Sequence, residues 1–384
     1  MRKICVVTGS RAEYGLVSRL MGLIKGDSSL TLQIIATNMH LSPEFGNTYK
    51  EIEKDGFRID KRVEMLLSSD TANATTKSVG LATIGFADAY EDLKPDLLLV
   101  VGDRYEILAA VTAALFYRIP VVHLHGGEIT EGAYDDAIRH AITKMSHLHF
   151  TATEVYRNRV IQLGEEPARV FNAGAIGLDN IKYLQLMQKS ELEKSLDFNF
   201  GEKSVLVTFH PVTLENNTGE EQTHNLLQAL ESMASLQILI TLPNSDTNGR
   251  IIMQLINRFV DKNKNRSRAF ASLGQIRYLS ALQFVDAVVG NSSSGIIEAP
   301  SFGIPTLNIG ERQHGRIKAE SIIDCEPTVI DIRKKLTHVL SAEFRKKCKN
   351  IKNPYYKEDT AEIILKTIKV TAINGLTQKK FYNL

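Results

Sequence analysis

The stretch Ile4-Cys5-Val6-Val7-Thr8-Gly9-Ser10-Arg11-Ala12-Glu13-Tyr14-Gly15 decides the fold. A short β-branched run passes through a glycine-containing turn into an amphipathic segment, which is how a βα unit begins. The same rhythm recurs along the chain. In the first half it predicts strands at Ile4–Thr8, Leu30–Thr37, Leu97–Val101, Val121–Leu124, His147–Ala152 and Val170–Ala173. In the second half it predicts Val205–Phe209, Gln237–Thr241, Ala269–Ser272, Ala287–Val289, Thr306–Ile309 and Ile322–Asp324. These runs are mostly apolar instead of alternating, as strands covered on both faces are, so the sheets are expected to be parallel. Between the two sets, Leu178–Phe200 is helix-like and charged, which puts a domain boundary near residue 176. Asn353-Pro354 stops a later segment, and Thr360–Ile373 reads as a helix with Asp359 or Thr360 as N-cap. Its Ile363, Ile364, Ile368 and Val370 fit against either domain.

At roughly 150 residues per domain, 384 residues make two to three domains. An apolar content of 43% excludes wholesale disorder. Lys+Arg 46 against Asp+Glu 44 leaves a formal charge of +2, so bulk charge points to neither a nucleic acid nor a membrane as partner. Cys5, Cys325 and Cys348 are scattered and match neither a disulfide framework nor zinc spacing. The basic N-terminus leads into an apolar run too short for a signal peptide, and no stretch approaches the roughly 18 apolar residues of a membrane span. The expectation is a cytoplasmic protein. The absence of tryptophan disfavours an open carbohydrate platform built on indole faces.

Ligands of open parallel sheets bind beyond the carboxyl ends of the strands, at the point where strand order switches. The residues that follow each strand therefore carry the functional reading. Gly9-Ser10-Arg11 lacks the G-x-G-x-x-G of a dinucleotide fingerprint. It reads equally as an anion site, with Arg11 forked onto a phosphate, and as a tight turn with a solvated arginine. Gly102-Asp103-Arg104-Tyr105-Glu106 offers a carboxylate and a guanidinium, or else a helix start in which Asp103 caps and Glu106 completes a capping box. His123, His125, His140, His147 and His149 crowd one stretch. Strand alternation puts His123 and His125 on one face, a geometry open to a metal. Asp135, Asp136 and His140 lack a second familiar ligand pair, so acid–base work is expected there and no metal. His147 and His149 read as packed core residues.

In the second half, His210 ends a strand in Phe209-His210-Pro211-Val212-Thr213, as an acid–base or phosphate-contact candidate or as a loop-bonding strand cap. Leu242-Pro243-Asn244-Ser245-Asp246 by itself is turn chemistry. Val288-Val289-Gly290-Asn291-Ser292-Ser293-Ser294-Gly295-Ile296-Ile297-Glu298-Ala299-Pro300 delivers a glycine and three serines to a helix start, a favourable place for a phosphate. Capping explains one serine and Glu298, but not three serines between glycines. Glu298 suits a ribose diol, and Gly310-Glu311-Arg312-Gln313 returns Arg312 to a strand end. These residues describe a two-domain α/β protein that binds a nucleotide or nucleotide sugar, with carboxylates and histidines of the first domain doing proton chemistry.

The combination Gly9-Ser10-Arg11-Ala12-Glu13-Tyr14, Gly46-Asn47-Thr48-Tyr49, Gly102-Asp103-Arg104, Gly126-Gly127-Glu128, Asp135-Asp136-Ala137-Ile138-Arg139-His140, His210-Pro211-Val212-Thr213 and Gly290-Asn291-Ser292-Ser293-Ser294-Gly295 resembles the hydrolysing UDP-N-acetylglucosamine 2-epimerases. These include the bacterial sialic-acid-pathway enzymes and the epimerase half of the bifunctional animal enzyme. The resemblance runs in order over nearly the whole chain. It implies a GT-B-like α/β fold of two Rossmann-like domains with parallel sheets facing a central cleft. Residues 1–176 form the first domain and 177–359 a UDP-binding second, and a helix at about 360–384 packs back on the first. It further implies a homo-oligomer, dimer or tetramer, with no cofactor and no metal.

The implied reaction converts UDP-N-acetylglucosamine and water to N-acetylmannosamine and UDP. A base removes the C2 proton as UDP leaves C1, and water then adds across the 2-acetamidoglucal with inversion at C2. That chemistry needs proton-handling groups on both faces of the ring and a cradle for the diphosphate. Carried onto this chain, Asp103 and Asp135 match catalytic carboxylates and His210 the histidine near the sugar-phosphate. Arg11, Ser292, Ser293 and Arg312 match diphosphate contacts and Glu298 the ribose-binding glutamate. His40, Arg104, Arg139, Asn244 and Asn291 complete the expected binding set. Many members carry a glutamate where this chain has His125, and the loop from Glu128 to Asp135 is one residue longer than in the animal enzyme. His125 is the expected second acid–base group, with Glu128 and Asp136 as alternatives. A close rival reaction uses a UDP-linked 2,4-diacetamido-2,4,6-trideoxyglucose, on the way to legionaminic acid. A non-hydrolysing epimerase fits Gly126-Gly127-Glu128 and Asp135-Asp136 less well. A glycosyltransferase has no use for two carboxylates at C2, and a nucleotide-sugar sensor would bind without turnover.

Overall fold

The computed structural model describes every residue except 70, 132, 211–217 and 244–248. Its strands are β1 (Arg2–Thr8), β2 (Leu30–Thr37), β3 (Lys61–Val63), β4 (Leu97–Val101), β5 (Val121–Leu124), β6 (Leu148–Thr151), β7 (Val170–Asn172), β8 (Ser204–Thr208), β9 (Gln237–Thr241), β10 (Ser267–Phe270), β11 (Ala287–Gly290), β12 (Thr306–Ile309) and β13 (Ile322–Cys325). They form two sheets, one ordered β3-β2-β1-β4-β5-β6-β7 and the other β10-β9-β8-β11-β12-β13. Every pairing within them is parallel. Each sheet is flanked by helices, the two Rossmann-like halves of a GT-B-like chain. The strand expected at Ala269–Ser272 instead occupies Ser267–Phe270. β3 escapes sequence reading because it is short and charged, with Val63 its buried residue.

The chain divides into two compact units. One comprises Met1–Glu128, Asp135–Lys182 and Tyr355–Leu384, and the other Ile129–Tyr134 and Tyr183–Pro354. In the first unit the apolar strands serve both faces of the sheet, as residue parity requires. Ile4, Val6, Leu97, Leu99 and Val101 enter one core with Val17, Leu20, Met21 and Ile24 of the helix Arg11–Gly26. Cys5, Val7, Leu98 and Val100 enter the opposite core with Phe86, Tyr90 and Ile107. In the second unit Val205, Val207, Ile238, Ile240, Val289 and Leu307 share a core with Leu226, Ile252 and Leu336.

The segment Leu178–Phe200 is not one helix. Short helices cover Asp179–Tyr183 and Lys189–Leu196, and between them the Met187 N–H donates to the Ser280 hydroxyl at 2.9 Å. The helix expected over about 360–384 ends at Val370. Thr371 is extended and Gly375 has φ +76°, so the chain turns away instead of continuing. Its N-terminus is capped from outside, for the Asp179 carboxylate accepts the N–H groups of Thr360 (3.1 Å) and Ala361 (2.7 Å). Asp359 holds the N-cap position, as expected, but its side chain makes no cap hydrogen bond. Ala361, Ile364 and Ile368 pack in the first unit's core, while Ile363 and Val370 face solvent. Burying Ile364 and Ile368 is worth roughly 2 kcal/mol each, enough to hold so short a helix in place.

Candidate active site

In the first sheet the strand order reverses between β1 and β4, and in the second between β8 and β11. Residues leaving the carboxyl ends of those strands are the ones a ligand meets. After β1, Ser10 caps the helix Arg11–Gly26 in a reciprocal capping box with Glu13. Glu13 Oε2 accepts the N–H groups of Gly9 (2.7 Å) and Ser10 (3.1 Å). The chain's own carboxylate therefore fills the main-chain pocket of the expected anion site. Arg11 Nη1 lies 3.7 Å from Glu51. His40 is fully enclosed, with Nε2 3.0 Å from the Thr8 hydroxyl and Nδ1 2.8 Å from that of Thr48. Its ring braces the end of β1, a different task from the expected ligand contact.

After β4, Gly102 turns with φ +80° and the helix Tyr105–Phe116 starts from Arg104, which makes no side-chain cap. The capping box expected of Asp103 and Glu106 is absent, because both side chains are drawn to guanidinium groups. Asp103 accepts from Arg139, and Glu106 Oε1 accepts from Arg104 Nε at 2.7 Å. Arg139, 1% exposed, is the organiser of this corner. It also donates to the Glu128 carbonyl oxygen at 2.8 Å and approaches Asp136 Oδ1 at 3.4 Å. Asp136 Oδ2 lies 3.5 Å from His140 Nε2, so Asp136 supports the cluster. Asp135 is the buried first residue of the helix Asp135–Met145.

His123 and His125 do not share a face. β5 ends at Leu124, and His125 adopts φ +65°, where strand alternation no longer holds. Gly127 follows at φ +78°, and a Cβ there would fall 2.4 Å from the Tyr156 carbonyl oxygen, so only glycine lets the turn close. The turn brings His125 Nδ1 within 2.8 Å of Glu128 Oε1, while Nε2 accepts the Ile176 N–H at 3.4 Å. Nδ1 therefore carries the proton and donates to Glu128, an imidazole oriented by a carboxylate. His123 Nε2 donates to the Gly102 carbonyl at 2.8 Å, a brace for the residue before Asp103 that sequence reading missed. His147 Nδ1 accepts the Val121 N–H at 3.1 Å and His149 Nε2 lies 3.0 Å from Glu165, the packed roles expected of them. Among the described residues no group of three or more His, Cys, Asp or Glu is placed to hold a metal.

In the second unit, Gly290 at the end of β11 has φ +129°, and a Cβ there would fall 2.0 Å from the Thr208 carbonyl oxygen. That close approach lets the Asn291 amide latch the end of β8. Its Oδ1 accepts the His210 N–H at 2.7 Å and its Nδ2 donates to the His210 carbonyl at 2.9 Å. Asn291 is fully buried, so its side chain places His210 instead of reaching outward. Arg312 Nη1 (3.1 Å) and Gln313 Nε2 (2.8 Å) donate to the Asn291 carbonyl, which returns Arg312 to this strand end as expected. Ser292 caps the short helix Ser293–Ile297, Ser294 accepts from the Tyr278 hydroxyl at 2.6 Å, and Glu298 closes the helix. Tyr278 carries no motif and could not be found by sequence, and Gln313 lies in the turn Gly310-Glu311-Arg312-Gln313, where the sequence points to Arg312 alone. Asn244 lies outside the described residues.

Burial holds the imidazoles of His40, His123 and His147 down to about 4, about 3 and about 4. Unfolded, each titrates near its ordinary value of 6.5. Their contribution is intact above that value and lost as pH falls toward 4, at up to roughly 1.4 kcal/mol per pH unit for each. Glu13, held above the usual carboxylate range by burial and by Glu106, and Asp179, raised by burial, act in the opposite sense, while His140 and His149, lowered by burial, add to the three. The urea midpoint is expected to fall steadily from pH 6.5 to 4.5. A flat profile would contradict these burials.

Comparison with known proteins shows the family and the fold. Residues 23–369 match the family described as UDP-N-acetylglucosamine 2-epimerase. A Campylobacter jejuni protein named GDP/UDP-N,N'-diacetylbacillosamine 2-epimerase (hydrolyzing) is 43% identical over 384 residues, 100% of this chain and 99% of its own. A Legionella pneumophila protein named UDP-N,N'-diacetylbacillosamine 2-epimerase (hydrolyzing) is 38% identical over 85% of this chain and 86% of its own. The crystal structure of UDP-GlcNAc 2-epimerase from Neisseria meningitidis bound to UDP-GlcNAc superposes with a TM-score of 0.81 at 19% identity, covering 96% of this chain and 100% of that one, which shows the shared fold. The chain therefore belongs to the UDP-N-acetylglucosamine 2-epimerase family and is an enzyme of its hydrolysing branch.

Proposed function

We propose that the protein converts a UDP-linked 2,4-diacetamido-2,4,6-trideoxyglucose (N,N'-diacetylbacillosamine) and water to UDP and the free sugar inverted at C2. The observation that carries this reading is the full-length, 43% identical relative named for that sugar. A second reading, UDP-N-acetylglucosamine to N-acetylmannosamine in sialic acid synthesis, is favoured by the description of the family itself.

In either reaction Asp103, oriented by Arg139, handles the C2 proton on one face of the sugar. The His125–Glu128 pair and Asp135 serve the other face, because an imidazole already oriented by a carboxylate suits proton delivery. His210, Ser292, Ser293 and Arg312 take the leaving diphosphate and Glu298 the ribose. Arg11, 3.7 Å from Glu51, is a further candidate for a phosphate of the substrate. No helix among the described residues is long and apolar enough to cross a membrane. The free, buried Cys5, Cys325 and Cys348 suit a reducing cytoplasm, and a homo-oligomer is the expected assembly.

The test is incubation with each UDP-sugar separately in D2O. The expected result is free UDP and a 2-epimerised free sugar deuterated at C2, with kcat/KM at least about tenfold higher for the diacetamido substrate, the loss expected when a site built for one polar pattern meets another. Faster turnover of UDP-N-acetylglucosamine would establish the second reading. An epimerised sugar still attached to UDP would refute both.

A further inference from the structure

The switch point of the first sheet holds two acids that the reaction above does not use. Glu13 lies in the first turn of the helix Arg11–Gly26 and Glu106 in the first turn of Tyr105–Phe116, 6% and 0% exposed. They meet at Gly9. Glu13 Oε2 accepts the Gly9 N–H at 2.7 Å, and a Cβ on Gly9 would fall 2.4 Å from Glu106 Oε1. Glu106 Oε1 is taken by Arg104. The other oxygen of each, Oε1 of Glu13 and Oε2 of Glu106, is buried with no hydrogen-bond partner. The charged groups facing Glu13 are Glu106 and Arg104. Two carboxylates against one guanidinium would leave uncompensated charge and two orphan acceptors in a dry site, both unfavourable. A single proton removes both problems, since a protonated carboxyl donates where its neighbour accepts.

We propose that Glu13 is a neutral carboxylic acid in the folded protein at neutral pH and donates its Oε1–H to Oε2 of Glu106. The proton belongs on Glu13 because Glu106 is paired with Arg104, whereas Glu13 Oε2 receives two main-chain N–H groups as a carbonyl oxygen does. Burial and the charge of Glu106 push the Glu13 carboxyl up to about 8, in the same direction. The pair ties the turn after β1 to Arg104 after β4, which makes Glu13 and Glu106 positioning residues for the main chain that carries Asp103. That positioning role rests on the proposed role of Asp103, whereas the protonation does not.

Glu13→Gln copies the neutral acid, with one acceptor for the two N–H groups and an N–H for Glu106, and Glu13→Ala copies neither. The infrared difference spectrum of wild type minus Glu13→Gln at pH 7 is expected to show the carbonyl stretch of a protonated carboxyl. Between about pH 5 and pH 8 the folding constant of the wild type should fall relative to Glu13→Gln, by up to about tenfold per pH unit. Glu13→Gln is then the more stable protein at pH 8. For positioning, Glu13→Ala lowers kcat with KM held and Glu13→Gln restores it. A difference spectrum without the protonated band, or a Glu13→Gln protein less stable than wild type at pH 8, overturns the proposal. The spectrum and the folding constants need no turnover, so they stand or fall apart from the identity of the substrate.

Discussion

Asp103→Asn is expected to lower kcat for the UDP-sugar by at least about a hundredfold, the usual scale for losing a proton-transfer group. The substitution keeps the size of the side chain and its place after β4. It removes the basic oxygen and weakens the pairing with Arg139. Asp103 is partly open to solvent and Arg139 keeps the Glu128 carbonyl, so the stability loss should stay near 1 kcal/mol. Turnover and stability thus separate. Continuous measurement of UDP release, with C2 deuteration in D2O as a second readout, checks the expectation. Near-normal turnover would remove Asp103 from the proton chemistry.

Arg139→Met is expected to have the larger structural effect. The guanidinium is enclosed and serves Asp103, Asp136 and the Glu128 carbonyl together. Removing it strands a buried carbonyl and sets two carboxylates side by side. Fully buried pairs cost about 3–5 kcal/mol to break, and the partial exposure of both carboxylates brings the figure to about 3 kcal/mol. Turnover should fall with it, because Asp103 loses its orientation. Arg139→Lys keeps the charge but not the fork, and should land between the two. Urea unfolding of the three proteins measures this, and a loss under about 1 kcal/mol for Arg139→Met would deny Arg139 its organising role.

The architecture was legible because its signal is local. A strand buried on both faces must be apolar at every position, as Leu97–Val101 is, and that is visible without knowing its neighbours. The residues at strand ends were legible for the same reason, since a turn needs its glycine wherever it lies. Errors arose where a local rule met a neighbour. Asp103 reads as a ligand carboxylate or a cap, and pairing with Arg139 removes the cap; the Gly9–Ser10 turn reads equally as an anion site and a tight turn, and Glu13 takes its N–H groups. His125 looked like a strand residue, but the chain had already turned at Leu124. Asp179, which reads as part of a charged, helix-like segment, accepts the first N–H groups of a helix that begins at Thr360.

By itself, then, the sequence determined the two parallel sheets and a run of family motifs in order over nearly the whole chain. Only the tertiary structure decided which groups serve one another. Asp103 and Arg139 are 36 residues apart, and His210 and Asn291 are 81. In a parallel sheet, strands that are neighbours in space are separated in sequence by whole crossover connections. No spacing rule reaches across them, so partnership at a switch point is set by strand order and appears only once the sheet is assembled.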